Sequence, residues 1–241
     1  MKLTYLFLGS VLFSCSTKID RKTNWIDTLR SWPRFGSGIE EIRQKDLSQK
    51  SILKIQLTKN EAKRVDIQSP FHAKPNMDYW YSCSIKLPTS FPIENKPLTL
   101  MQWMAKPKTN LGENVKPPAM ALHFVNGVMF ATIRTSNQIS LKQPDLITKN
   151  TLFEISDFDL GVWKDFIFLV KWTSENNSEV RAWVNGKLMG SYAGPAGYAD
   201  AIGPIFSFGI HRENTKQTHL AYFSDCREGH SYDEVEPNNY H

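Results

Sequence analysis

Two histidines in this chain stand where a proton could be moved. His211 closes the stretch GPIFSFGIHR (203–212), which alternates as a strand: Phe206, Phe208 and Ile210 on one face, Ile205, Ser207, Gly209 and His211 on the other. The first face reads as core. The second is small and polar, with one group that titrates near neutral pH. His123 lies in AMALHFVNGVMFATIR (119–134), two alternating runs around Asn126-Gly127. Asn-Gly favours a two-residue type I′ turn, which pairs Val125 with Val128, His123 with Phe130, Ala121 with Thr132 and Ala119 with Arg134. The other face of this hairpin, Met120, Leu122, Phe124, Met129, Ala131 and Ile133, is wholly apolar and must be core. His123 and Arg134 therefore project from the non-core face, among small residues. A competing chemistry, retaining glycoside hydrolysis, needs two carboxylates about 5 Å apart. The nearest candidates, Glu154, Asp157 and Asp159 of FEISDFD, do not share one strand face and read as a solvated loop. Asp233, Glu234 and Glu236 of SYDEVEP read as an acidic tail. No Cys/His spacing suggests a zinc site, and the sequence points to no metal and no cofactor.

The elements that must position these residues are strands. SILKIQL (51–57), AKRVDI (62–67), DYWYSCSIKLP (78–88), LTLMQWM (98–104), AMALHFV (119–125), VMFATIR (128–134), WKDFIFLVKW (163–172), EVRAWV (179–184), KLMGSY (187–192), IFSFGIH (205–211) and LAYFSD (220–225) are rich in β-branched and aromatic residues. Pro, Gly, Asn and Asp bound them. Asn185-Gly186 marks a second tight hairpin. No long amphipathic helix competes, and no internal repeat is seen. The expectation is an all-β chain of two packed antiparallel sheets, a sandwich or jelly roll. One face of such a sheet can stay open to solvent, and a concave face with small side chains suits an extended polymer.

The chain has 241 residues with 41% hydrophobic and 12% aromatic content, enough for one large β domain with a proper core. The net charge of +5 favours an anionic partner. Without a Lys/Arg block or a nucleic-acid motif, nucleic acid is excluded as that anion. The N-terminal MKLTYLFLGSVLFSCS has one lysine and then an apolar run too short to span a bilayer as a folded helix, the pattern of a secretory signal. Leu12-Phe13-Ser14 before Cys15 resembles a bacterial lipobox, so residues 1–14 are read as a lipoprotein signal. Cys15 is then the acylated residue, and residues 15–35 are a tether that becomes the first edge of the fold and carries the protein on the cell envelope, outer membrane or cell surface. Residues 36–241 are read as the β domain, a monomer. Cys83 and Cys226 remain; buried thiols are the plainer reading, and a disulfide is open in an oxidising compartment.

Over most of residues 60–236 the sequence resembles the heparin lyase I and glucuronan lyase-like polysaccharide lyases, and more distantly the alginate lyases. The likeness is carried by RVD (64–66), DYWYSCSIKLP, LTLMQW, AMALHFVNG, LGVWKDFIFLVKW, VRAWVNGKL, GPAGYADAIGPIFSFGIHR and AYFSD. It implies a β-jelly roll in a concanavalin-like sandwich with a concave cleft. It also implies β-elimination on a uronic-acid polysaccharide: a base removes the proton α to the uronate carboxylate, neighbouring groups neutralise that carboxylate, and an acid protonates the leaving oxygen. Arg64, Gln102 and His123 match the family by position, with arginine and glutamine holding the carboxylate and histidine moving a proton. At the strand 205–211 the family pattern is roughly Y-F-K-x-G-I-Y, whereas here Ile205, Ser207 and His211 replace the tyrosine, lysine and tyrosine. Three readings follow: His211 takes the acid/base role beside His123, Tyr198 supplies the phenol from the adjoining loop, or the site only binds sugar. Arg134, Tyr198, Ser207 and Trp103 are the expected substrate contacts. Trp80, Trp103 and Trp183 are the aromatic candidates for stacking on sugar rings, with core packing the competing reading.

Overall fold

The computed structural model describes residues 25–43, 51–60, 63–113, 115–138 and 146–237. The expected signal, Cys15 and its acylation lie outside the described residues. The strands are β1 (Arg34–Phe35), β2 (Ile39–Arg43), β3 (Ser51–Leu57), β4 (Arg64–His72), β5 (Asp78–Lys86), β6 (Leu98–Met104), β7 (Met120–Val125), β8 (Val128–Ser136), β9 (Thr148–Ile155), β10 (Lys164–Lys171), β11 (Glu179–Val184), β12 (Lys187–Ala193), β13 (Gly197–Tyr198), β14 (Ile205–Arg212) and β15 (His219–Gly229). They form two sheets. One runs β1-β4-β14-β6-β7-β8-β13, with β9 on β8; the other runs β12-β11-β10-β5-β15-β3-β2. All pairs are antiparallel except the two-residue β13 against β8. Sequence neighbours such as β4 and β5 lie in different sheets, the crossing connectivity of the expected jelly-roll sandwich.

Alternation sorts the side chains. Ile67, Met101, Trp103, Met120, Leu122, Ile133, Phe206 and Phe208 from the first sheet meet Leu53, Ile55, Tyr81, Ile85, Phe166, Phe168, Ala182 and Phe223 from the second, and each is essentially fully buried. Trp103 sits at the centre of this layer, 5.2 Å from the rings of both Tyr81 and Phe168 and 5.3 Å from Phe206. Both Asn-Gly turns have positive φ at both residues: Asn126 51° and Gly127 81°, Asn185 49° and Gly186 74°. The β7–β8 register is the one the turn dictates, His123 opposite Phe130 and Ala121 opposite Thr132.

Three features differ from the sequence expectation. Residues 25–35 do supply the expected first edge, but they are packed into the fold from Trp25 onward rather than only at that edge. The helical turn α1 (Trp25–Thr28) and the segment after it bury Trp25, Ile26, Leu29 and Trp32, Trp25 Nε1 donates to Ser51 O (3.0 Å), and β1 extends the first sheet. Cys83 and Cys226 are not separate thiols but a disulfide across β5 and β15. The register shift between Ser224 and Arg227 lets Cys226 meet Cys83, which faces the core. Glu154 lies on β9, not in a loop.

Candidate functional site

The open face of the first sheet is set by register. His211 pairs with Arg64 on β4 and with Thr99 on β6; Thr99 pairs in turn with His123 on β7, and His123 with Phe130 on β8. One row of side chains across five strands is thus Arg64, His211, Thr99, His123 and Phe130. Two strand spacings, about 10 Å between backbones, separate the two histidines. The next polar row is Gln68, Ser207, Gln102, Ala121 and Thr132. A shift between Thr99 and Met101 keeps Thr99 and Gln102 on the same face although they stand an odd three positions apart. Gly209, between the rows, has φ +145°, and a Cβ there would meet Val65 O at 2.4 Å and the Cα of Asp66 at 2.5 Å. Only glycine lets β14 lie this close to β4.

His123 is 8% exposed. Its Nδ1 lies 3.0 Å from Thr99 Oγ1 and its Nε2 3.2 Å from Thr132 Oγ1, so the neutral ring donates to one hydroxyl and accepts from the other. Burial, and then the charges of Arg134 and Lys149, push its pKa down to about 4. His211 is half-buried, and burial, then the Arg64 charge, lowers its pKa against the pull of Asp66. Both rings are therefore neutral at neutral pH, the form that accepts a proton. Arg64 Nε and Nη2 donate to the two carboxylate oxygens of buried Asp66 (2.8 and 2.7 Å), and its guanidinium lies 4.2 Å over the Phe35 ring. Gln102 and Ser207 are 4% and 1% exposed, and among the described residues neither Gln102 Oε1 nor Ser207 Oγ has a hydrogen-bond partner. Such groups are uncommon in native interiors, and here they line a notch with Thr99, Gly209 and His211.

Arg134 is half-buried and lies on the same face, two residues beyond Thr132 on β8; its Nη1 donates to Pro118 O (3.1 Å). Tyr198 is buried, its hydroxyl donates to Pro117 O (2.9 Å), and burial pushes its pKa up to about 12. It pairs with Ser136, six residues along β8 from the partner of His123. It borders a separate pocket of about 350 Å³ reached by Asn76, Trp172 and Asp200. That pocket meets the start of β14, and His211 lies at the other end of the strand.

The structure brings Arg64, Gln102, His123, Ser207 and His211 together on one face, with Arg134 beside them. It does not bring Trp103. Adjacent strand residues point to opposite faces, so with Gln102 outward Trp103 must point inward, and it is fully buried. Trp80 and Trp183 stack on each other, ring centroids 5.5 Å apart, on the outer side of the second sheet and away from the histidines. Thr99 and Thr132, which hold both nitrogens of His123, were not anticipated. Thr132 could have been read from the hairpin register, diagonal to His123; Thr99 could not, because the β6 shift is not written in its residues. Lys149, opposite Arg134 on β9, escaped with that strand.

Fold and face together define a two-sheet β-sandwich with two neutral histidines set among polar groups on an open sheet. Residues 23–227 match the polysaccharide lyase family model, and the chain belongs to that family. No curated protein matches it by sequence. Among solved structures it is similar to an endo-β-1,4-glucuronan lyase from the fungus Trichoderma reesei, at 15% identity and TM-score 0.71, covering 88% of this chain and 95% of the other. It is also similar to an alginate lyase from a Chlorella virus, at 12% identity and TM-score 0.56, covering 86% and 97%. A third likeness is to the alginate lyase AlyC3 in complex with dimannuronate, at 16% identity and TM-score 0.53, covering 74% of each chain. At these identities the likenesses speak to the fold.

Proposed function

We propose that the protein cleaves a uronic-acid-containing polysaccharide by β-elimination on the open face of the first sheet. The observation that carries this reading is that His123 and His211 flank Thr99 in one row, both neutral at neutral pH. The reaction breaks the C–H bond α to the uronate carboxylate and the C–O bond to the next sugar, and forms a carbon–carbon double bond. The electron pair of the broken C–O bond leaves on the glycosidic oxygen. His123 accepts the proton as base. An imidazolium whose pKa the site holds low is a strong acid once formed; it gives the proton to the leaving oxygen directly, or through neutral His211, which takes it on one ring nitrogen and releases the proton of the other. Gln102 stands next to the histidine row on the same face, and an amide there would help meet the charge that builds up on the carboxylate in the transition state.

Two observations favour the second reading, a binding protein on the same fold: Ile205 and His211 offer no phenol, and Thr99 and Thr132 already occupy both nitrogens of His123. The two readings part on ultraviolet absorbance. When glucuronan, alginate, heparin-like and ulvan-like polymers are offered, a lyase generates the absorbance of an unsaturated uronate. Binding of one of them without any new absorbance would replace cleavage by capture.

We further propose export and acylation of Cys15. The lipobox-like LFSC supports this, and so does the Cys83–Cys226 disulfide, because such bonds persist in oxidising compartments. Metabolic labelling with a radiolabelled fatty acid should mark the wild-type protein and not Cys15→Ala. Equal labelling of both would refute it.

A further inference from the structure

The positive charge available on the open face is not at Arg64. Both oxygens of Asp66 already accept from that guanidinium, and Phe35 covers it. The face holds a second basic position on the other side of His123, where Arg134 on β8 stands directly opposite Lys149 on β9. Among the described residues, no carboxylate pairs with either side chain. Among the described residues, the Arg134 guanidinium hydrogen-bonds to the Pro118 carbonyl alone, which leaves its other N–H groups for a ligand. A half-buried guanidinium without a counter-anion has lost part of its hydration and gained little in return, and burial lowers its pKa accordingly.

The position is also held in place. The segment carrying Pro117 and Pro118 is pinned by buried Lys116, whose Nζ lies 2.9 Å from Glu113 Oε2 and 2.8 Å from Asp200 Oδ1, and by Tyr198, whose hydroxyl donates to Pro117 O. The carbonyl that receives Arg134 is therefore fixed from two directions. Both charges are felt at His123, whose ring reaches toward Thr132 and hence toward Arg134.

We propose that Arg134 and Lys149 form the docking site for a carboxylate of the uronate polymer, and that Arg64 serves instead to hold β4 through Asp66. A planar guanidinium accepts a carboxylate bidentately, and the exposed ammonium opposite it adds a second charge-assisted bond. The carboxylate then lies beside Thr132 and His123, where it counters the two cations that depress the histidine. The choice of a uronate polymer as ligand rests on the lyase reading, but the site is tested by binding, which does not require turnover.

The test is native gel electrophoresis through sodium polyglucuronate or alginate, with the carboxyl-reduced polymer as the neutral control. Wild-type protein should be retarded by a uronate polymer and not by its reduced form, and added salt should weaken the retardation. Lys149→Gln and Arg134→Gln should each weaken binding by about tenfold or more, as the loss of a charge-assisted contact implies. Arg64→Gln leaves the buried Asp66 carboxylate without its partner and should lower stability, while the retardation of the folded protein should fall less than in Lys149→Gln. Lys149 is exposed, so its substitution tests the site even if Arg134→Gln fails to fold. Arg64→Gln losing more binding than Lys149→Gln would overturn the proposal, as would wild-type protein that neither polymer retards through its carboxylates. Carboxylate-dependent retardation without cleavage would uphold the site and remove only the lyase reading.

Discussion

Replacing His123 by glutamine should remove a specific part of the protein's acid sensitivity. The folded-state pKa of His123 is about 4 against an ordinary 6.5. Between those values the unfolded chain binds the proton and the folded protein does not, so the stability tied to the neutral ring is present above about pH 6.5 and is lost as pH falls toward 4. At about pH 4.5 the loss through this one residue amounts to roughly 2.5 kcal/mol, and at about pH 7.5 it is near zero. His219 is also pushed down to about 4, by burial first and then by the Arg212 charge, but it is present in both proteins and cancels from the comparison. The assay is urea unfolding of wild type and His123→Gln at both pH values. At neutral pH the variant should be the less stable, since glutamine cannot reach both Thr99 and Thr132 as the ring does. Its stability should nevertheless fall by roughly 2.5 kcal/mol less than that of wild type on going to the lower pH. Parallel losses in the two proteins would show that His123 titrates normally in the fold, and the argument that it waits as a neutral base would fail with it.

Glu228 should give the opposite sign. Burial raises its carboxyl to about 7 against the opposing hydrogen bond that Ser69 donates from the other sheet, so its protonated form is favoured in the fold and stability is lost as pH rises from about 4.5 through 7. Glu228→Gln should stabilise by up to about 3 kcal/mol at pH 8 and much less at pH 5, measured by urea unfolding. Gly209→Ala should cost about 2 kcal/mol or more and disturb the Arg64–Asp66 pair, because the new Cβ meets the β4 backbone; an unchanged melting temperature would refute the close approach. Removing the disulfide as the double variant Cys83→Ala and Cys226→Ala should cost about 2–5 kcal/mol, seen as loss of the reductant-sensitive part of the unfolding transition.

Much of the face was legible in the sequence because a tight turn fixes everything after it. Once Asn126-Gly127 is given its two positive φ angles, period-two alternation sends His123 and Arg134 outward and Met120, Leu122 and Phe124 inward, and the structure agrees residue by residue. The β14 strand follows in the same way from Phe206, Phe208 and Ile210. What alternation cannot convey is a register shift. On β9 the shift opposite Ala131 and Thr132 makes Leu152 and Phe153 both buried in succession, so TKNTLFEI shows no clean period and Lys149 went with it. Trp103 is a different lesson: its neighbour Gln102 was assigned to the same site, although two adjacent strand residues cannot share a face. The Arg64–Asp66 pair was visible as an i, i+2 neighbourhood, but whether it outcompetes a carboxylate ligand depends on the buried position of Asp66, which only the fold supplies. The disulfide depends on a shift in β15 that the spacing of two distant cysteines does not reveal.

The most direct test of the central claim, that the His123–His211 row performs the proton transfers, is the initial rate of unsaturated-uronate formation by wild type, His123→Ala and His211→Ala on whichever uronate polymer the wild type cleaves, with binding of the same polymer measured alongside. A general acid–base group typically contributes about 10²–10⁴-fold, so each variant should lose a factor in that range while its affinity changes little. Turnover that survives in His123→Ala at near the wild-type rate would contradict the account.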